Sequence, residues 1–142
     1  MFTYAAKLIE VIDGDTVDLL KDLGFGVNVK ERFRLYGIDA PEMPTDAGKA
    51  AKAYLESLIG AATGELSDFV KCFPGQCPIY ISTIKAKKTS KEKADKYGRY
   101  LAFLYYTNSD MEAEAYETKI SFRPTSLNWR MVAGGHAKER YW

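Results

Sequence analysis

The chain reads VIDGDTVDLL from Val11 to Leu20, and this stretch places a polar interruption between two runs of strand-forming residues. The flanking Val, Ile and Leu side chains favour strands, whereas Asp13 and Gly14 favour a tight turn or a bulge. We therefore predict a hairpin whose strands cover residues 4–12 and 14–20.

The rest of the chain predicts three more strands and two helices. A third strand is expected over residues 29–36, and two more over the segments IYISTIKAK and RYLAFLYY, which are rich in β-branched and aromatic residues. Apolar residues at helical spacing between positions 47 and 62 indicate one amphipathic helix, with Thr45 or Asp46 placed to cap it. Ser126 is placed to cap a short final helix, LNWRMVAGG.

Together these elements predict the α+β class, as a five-stranded OB-fold-like β-barrel, closed or partly closed and antiparallel, with helices packed on it. The 142 residues, 46 % of them hydrophobic, suit one domain with one core. Two connections interrupt the pattern. Residues 64–78 look like an extended connection, and residues 108–125 look like an inserted hairpin or a mobile loop.

The charge and the apolar runs of the chain indicate which partners and which compartment to expect. The net charge of +1 excludes a strong overall field, although residues 85–99 hold six Lys and one Arg against two acids, a local balance of +5. Such a run either attracts a phosphate backbone or forms a solvated loop. The chain shows no apolar run of bilayer length and no leader, so we expect a cytoplasmic protein without membrane contact. A secreted protein whose leader peptide had been removed would show the same sequence, so secretion stays an alternative.

The cysteine and histidine counts argue against zinc chemistry. Cys72 and Cys77 would need further ligands for a tetrahedral site, and His136 is the only histidine of the chain. We expect two reduced thiols, because the sequence carries no export signal. A lone histidine near the end of the chain predicts a surface residue rather than a catalytic base.

Four acids lie in two short segments at predicted strand ends. Asp13 and Asp15 belong to DGDT, and Asp39 and Glu42 belong to GIDAPE. Convergent carboxylates, a backbone carbonyl and water are the oxygen ligands that calcium and magnesium prefer. DGDT taken alone is more typical of an ordinary turn than of a metal site.

Two arginines add a second kind of chemistry. Arg34 lies in the strand that leads to GIDAPE, and Arg99 follows the segment DKYG. Planar guanidinium groups donate paired hydrogen bonds to phosphate oxygens and can stabilise the charge of a five-coordinate phosphorus. A surface salt bridge is the alternative for each arginine.

Three segments resemble signatures of the staphylococcal nuclease-like (thermonuclease) family. They occur in the same order as in that family. They are IDGDTV at residues 12–17, FRLYGIDAPE at residues 33–42 and DKYGR at residues 95–99. A weaker similarity runs from LNWRMVAGGHAK to Tyr141, so that the resemblance spans nearly the whole chain. The connections near 64–78 and 110–124 look longer than the family core requires.

The resemblance implies a single nuclease domain over residues 1–142. It implies a calcium-dependent endonuclease that hydrolyses phosphodiester bonds of DNA and/or RNA with little sequence specificity and leaves 3′-phosphate ends. The implied calcium ligands are the carboxylates of Asp15 and Asp39 and the backbone carbonyl of Ala40.

The remaining implied roles concern the substrate. Glu42 would act as general base or orient the attacking water, Arg34 would bind the phosphate, and Arg99 would stabilise the transition state and the departing oxygen. Asp13 and Thr16 would support the metal ligands, a role that turn capping explains equally well. The implied substrate-binding residues are Lys96, Tyr97 and Tyr141, with packing as the alternative for both tyrosines.

We expect a monomer with Ca2+ as its cofactor and nucleic acid as its substrate. Two other functions stay open at this point. One is a catalytically silent OB-fold module that binds nucleic acid, and the other is a barrel that stacks single-stranded bases without metal chemistry. Calcium dependence and strand scission distinguish the nuclease from both.

Overall fold

Five strands close into a β-barrel in the computed structural model, which describes residues 2–63, 79–84, 100–117 and 119–141. The seven strands of the described ranges are β1 (Phe2–Asp13), β2 (Thr16–Asp22), β3 (Asn28–Leu35), β4 (Ile38–Asp39), β5 (Ile79–Thr83), β6 (Tyr100–Tyr105) and β7 (Lys138–Glu139). The barrel order is β1-β2-β3-β6-β5, while the two-residue strands β4 and β7 pair with each other. The predicted α+β barrel is confirmed. The prediction for Cys72 and Cys77 lies outside the described residues.

The pairing of β3 with β6 differs from the all-antiparallel barrel that the sequence predicts. These two strands run parallel, whereas the other four neighbouring pairs of the barrel are antiparallel. A closed ring with an odd number of strands cannot reverse direction at every neighbour. One parallel pair is therefore a geometric consequence of closing five strands.

The hairpin of β1 and β2 turns at Gly14 and Asp15, one residue later than predicted. Gly14 is required there by a close approach to the first helix, α1 (Asp46–Thr63). A Cβ at this position would lie 2.7 Å from the Cβ of Ala51 and 2.8 Å from the Cβ of Ala40. The missing side chain thus lets the turn rest directly on α1 and on the loop after β4.

Helix α1 begins as the sequence predicts. The hydroxyl of Thr45 accepts a hydrogen bond from the backbone N–H of Gly48 at 3.0 Å, so Thr45 is the capping residue. Ala51, Leu55 and Ile59 are fully buried on one face of the helix and pack into the core. Burial of this stripe stabilises the helix against the barrel.

Residues 108–117 and 119–125 form neither a hairpin nor a mobile loop. They form a second helix, α2 (Asn108–Ala113), and a single 3-10 turn at Ile120–Phe122. Thr107 caps α2, and Met111 and Ile120 are buried in the core. The prediction was wrong because it relied on the polar composition of this segment, whereas two apolar side chains, Met111 and Ile120, pack in the core.

Arg123 joins this segment to the barrel although it is fully buried. Its guanidinium donates to the hydroxyl of Tyr105 at 2.9 Å and to the carbonyl of Glu117 at 2.6 Å. The group also lies 3.7 Å from the centre of the Phe103 ring. Because a buried cation needs such partners, the segment can close only when all of them are in place.

The third helix, α3 (Leu127–Ala133), begins at Ser126 as predicted. The Ser126 hydroxyl accepts from the N–H of Trp129 at 3.2 Å, and the helix ends at Gly134. Its buried residues join the core that fills the barrel. Among the helices in the described part of the chain, none combines the length and apolar character of a membrane span.

We predict that Arg123→Met lowers the free energy of unfolding by about 3 kcal/mol, because it leaves the Tyr105 hydroxyl and buried carbonyls without their donor. Urea denaturation measures the change. Lys119→Met is the matched control, since it removes a cation from an exposed position of the same segment. It should leave the stability unchanged, and equal losses in both variants would contradict the role given to Arg123.

Candidate functional site

A cavity of about 510 Å³ opens beside the turn of the first hairpin and the end of β3. Polar side chains from three separate parts of the chain meet in it. The lining residues are Asp13, Asp15, Arg32, Arg34, Asp39, Ala40, Glu42 and Met43. The structure therefore brings together all the predicted metal ligands and catalytic residues that lie within its described ranges.

Asp15 is the most deeply buried carboxylate of the cavity. One of its oxygens accepts from the backbone N–H of Ala40 at 3.0 Å, and the other accepts from the hydroxyl of Thr16 at 3.0 Å. Burial and the neighbouring Asp13 together raise the pKa of Asp15 to about 6, although the Ala40 N–H and Arg34 act to lower it. The site thus holds a carboxylate that gains from a nearby positive charge.

Arg34 supplies such a charge. Its Nη2 lies 3.3 Å from Oδ2 of Asp15 and 3.3 Å from Oδ1 of Asp39, and it also donates to the carbonyl of Ile38 at 3.4 Å. Two carboxylates from distant segments therefore converge on one cationic nitrogen. The guanidinium is largely shielded, with 12 % of its side chain exposed.

Arg140 is a second partner of Asp39 that the sequence analysis missed. Its Nη1 donates to Oδ2 of Asp39 at 3.0 Å, and its backbone N–H donates to the carbonyl of Gly37 at 2.8 Å. The pairing of β4 with β7 sets this contact, because it aligns Asp39 with Lys138. Only the tertiary pairing of two strands of two residues each could have revealed it.

The position of Glu42 is set by its backbone. The carbonyl of Glu42 accepts from both the N–H and the hydroxyl of Thr45, at 3.2 and 2.6 Å. A Cβ on Gly48 would collide with this carbonyl, so the glycine lets the loop lie against the first turn of α1. The Glu42 side chain itself is exposed at the cavity.

The donor set of the cavity fits a hard divalent cation. Four carboxylates face two guanidinium groups, a formal balance of −2 among the lining residues. Within the described ranges, however, no three Asp, Glu, His or Cys side chains already form a metal cluster. A cation here would therefore rely on Asp15, Asp39, backbone oxygen and water, and would compete with Arg34 for the two carboxylates.

Some predicted residues lie elsewhere. The hydroxyl of Tyr141 accepts from the N–H of Ile120 and donates to Glu139, both at 2.8 Å, and the ring packs on Tyr36. Tyr141 does not line the cavity.

Asp13 does line the cavity, and it accepts from the N–H of Asp15 at 3.1 Å and so caps the turn. The predicted residues outside the described part of the chain are Lys96, Tyr97 and Arg99.

Asn128 connects the elements around the site by hydrogen bonds. This buried side chain accepts from the N–H of Leu104 at 3.1 Å and donates to the carbonyls of Tyr36 and Ala102 at 2.8 and 3.0 Å. It thereby fastens α3 to β6 and to the chain just before Asp39. In the sequence it looks like an ordinary helical residue.

We predict that Asn128→Leu lowers the free energy of unfolding by about 2 kcal/mol, because buried backbone groups lose their partners while the number and branching of the side-chain heavy atoms are kept. Urea denaturation measures this. Asn28→Leu is the control, because Asn28 is exposed at the start of β3. A loss of the same size in the control would show that the buried hydrogen bonds are not the cause.

Comparisons with known proteins leave the cavity without a family assignment. No protein-family model matches the chain, and no curated protein matches it. A function for the cavity therefore has to be inferred from its own residues.

Proposed function

We propose that the protein is a calcium-dependent endonuclease that hydrolyses phosphodiester bonds of DNA and/or RNA with little sequence specificity and leaves 3′-phosphate ends. The convergence of Asp15, Arg34, Asp39 and Glu42 in one cavity carries the proposal. The resemblance of the segments that contain them to the staphylococcal nuclease-like family supports the same function. Membership of that family is part of the proposal.

Hydrolysis adds the hydroxide of a water molecule to phosphorus and breaks the bond to the 5′ oxygen, which takes up a proton. Glu42 is suited to receive the proton of the water, because its carboxylate is exposed within the cavity. Arg34 is suited to donate to the phosphate oxygens. The role of Arg99 at the departing oxygen rests on the resemblance alone.

Calcium would be held by the carboxylates of Asp15 and Asp39 and by the carbonyl of Ala40. A bound divalent ion there supplies positive charge that offsets the charge of the phosphate. The Thr16 hydroxyl and the Ala40 N–H keep the Asp15 carboxylate in place. The excess of carboxylates over guanidinium groups in the cavity supports this assignment.

The acidic segment DMEAEAYE is expected to lie away from the nucleic acid. Helix α2, which contains its first residues, packs against β5 and β6, and no residue of the segment lines the cavity. The basic run at 85–99 lies outside the described residues, so its contribution to binding stays a prediction.

A second candidate function is a non-catalytic OB-fold module that binds nucleic acid. One observation favours it: Arg34 and Arg140 engage both oxygens of Asp39. In such a module the carboxylates would serve to fix arginines for phosphate binding. Binding without strand scission, unaffected by calcium, would distinguish the module from the nuclease.

We predict that Glu42→Gln slows the cleavage of plasmid DNA and of RNA by about a hundredfold or more, the scale of a lost transition-state contact. Initial rates measured by gel electrophoresis test this. Glu112→Gln is the matched control, because Glu112 is an exposed glutamate outside the cavity. It should cleave at the wild-type rate, and equal rates in both variants would refute the role of Glu42.

We also predict that cleavage requires calcium, is abolished by a chelator and is weak with magnesium, because two carboxylates and a carbonyl suit a larger, more adaptable coordination sphere. The same assay measures this dependence, and labelling of the product ends tests for 3′-phosphates. Full activity in the presence of chelator would count against the calcium site.

A further inference from the structure

Arg32 lines the same cavity as Arg34, yet no motif of the sequence assigns it a role. We propose that Arg32 forms a second phosphate subsite, so that the cavity takes a strand with at least two consecutive phosphates rather than an isolated phosphodiester. The inference deepens the proposed function and rests on it for the identity of the ligand as nucleic acid.

The spacing of the two arginines follows from the strand that carries them. In β3, Phe33 and Leu35 are buried inside the barrel, so Arg32 and Arg34 project from its outer face. Residues at i and i+2 of a strand are about 6.6–6.8 Å apart. This separation is comparable to one nucleotide step of an extended strand, so the two groups can meet neighbouring phosphates.

Asp18 fixes the plane of the Arg32 guanidinium. The two residues are directly opposite in the β2–β3 register, and Arg32 donates from Nε at 2.8 Å and from Nη2 at 3.1 Å to the two carboxylate oxygens. The Asp18 side chain is 5 % exposed, whereas that of Arg32 is 51 % exposed. A nearly buried carboxylate therefore holds an arginine whose outer edge faces the solvent.

This geometry leaves hydrogen-bond donors available to a ligand. A guanidinium has five N–H groups, and Asp18 uses two of them. The described residues offer no further acceptor to Arg32. The remaining edge is thus oriented in advance, which lowers the entropic cost of binding a phosphate.

The two arginines differ in depth. Arg34 has only 12 % of its side chain exposed and lies between Asp15 and Asp39, where the reacting phosphate is proposed to bind. The far more exposed Arg32 lies on the same wall. The next phosphate along the strand would meet it at the mouth of the cavity.

Neighbouring acids determine what kind of contact Arg32 can make. Asp18 balances its charge, and Glu10 and Asp13 add negative potential. The Arg32–Asp18 pair therefore offers a phosphate directed hydrogen bonds rather than a net electrostatic attraction. For this reason Arg32→Lys, which keeps the charge and loses the planar fork, should not restore binding.

The alternative is that Arg32 and Asp18 form only a cross-strand ion pair that stabilises the sheet. The two interpretations differ in what they predict for substrates. A purely structural pair affects all substrates equally, whereas a phosphate subsite affects only those that carry the second phosphate.

The test compares a dinucleotide that has one internal phosphodiester with the same dinucleotide carrying one extra terminal phosphate, at its 5′ or its 3′ end. Cleavage in calcium gives kcat/KM, and calorimetry in the Glu42→Gln background gives Kd. We expect one extra phosphate to improve both quantities by about tenfold, the scale of a charge-assisted hydrogen bond. Arg32→Gln and Arg32→Lys should lose this preference.

Lys30→Gln is the matched control, because Lys30 is an exposed cation two residues earlier on the outer face of β3 and does not line the cavity. It should keep the tenfold preference. A wild-type protein that cleaves all the dinucleotides equally, or an Arg32→Gln variant that loses the same factor on each, overturns the subsite and leaves the nuclease proposal standing.

If no substrate is cleaved, the measured Kd values distinguish the nuclease proposal from the subsite proposal. If nothing is cleaved but the extra phosphate still tightens Kd in an Arg32-dependent way, the nuclease proposal fails and the subsite stands. If nothing is cleaved and no dinucleotide binds, both fail.

Discussion

The burial of the Asp15 carboxylate is the constraint on which the site depends. A charge removed from water costs several kcal/mol unless partners replace the lost hydration. Here the partners are the Ala40 N–H, the Thr16 hydroxyl and the Arg34 guanidinium, contributed by separate segments. The hairpin turn, β3 and the loop after β4 must therefore be in place together, and closure of the barrel with α1 behind the turn accomplishes this.

The arginine that permits this burial also belongs to a longer chain of ion pairs. Asp39 is shared between Arg34 and Arg140, and Arg34 is shared between Asp39 and Asp15. Such a chain of paired charges keeps Asp15 and Asp39 close together. The contacts of Arg34 with both carboxylates are 3.3 Å long, which is longer than an ideal hydrogen bond, so Arg34 holds them loosely.

Outside the cavity, buried polar groups help apolar contacts to fasten the peripheral segments. Arg123 and Asn128 are both fully buried and make several hydrogen bonds to backbone atoms. Polar residues such as these specify one arrangement, because any other would leave their groups unsatisfied. They also escape sequence analysis, which interprets polar composition as exposure.

Local patterns in the sequence predict the hairpin at VIDGDTVDLL, the β3 strand, the α1 helix and the cap at Ser126, and they leave Thr45 and Asp46 as candidates for the cap of α1. These features depend on side-chain periodicity and capping within a few residues of the chain. Only the folded structure reveals the parallel β3–β6 pair, the burial of Arg123 and the contact of Arg140 with Asp39, 101 residues apart. These depend on strand parity and on which distant segments meet when the barrel closes, information that no local pattern contains.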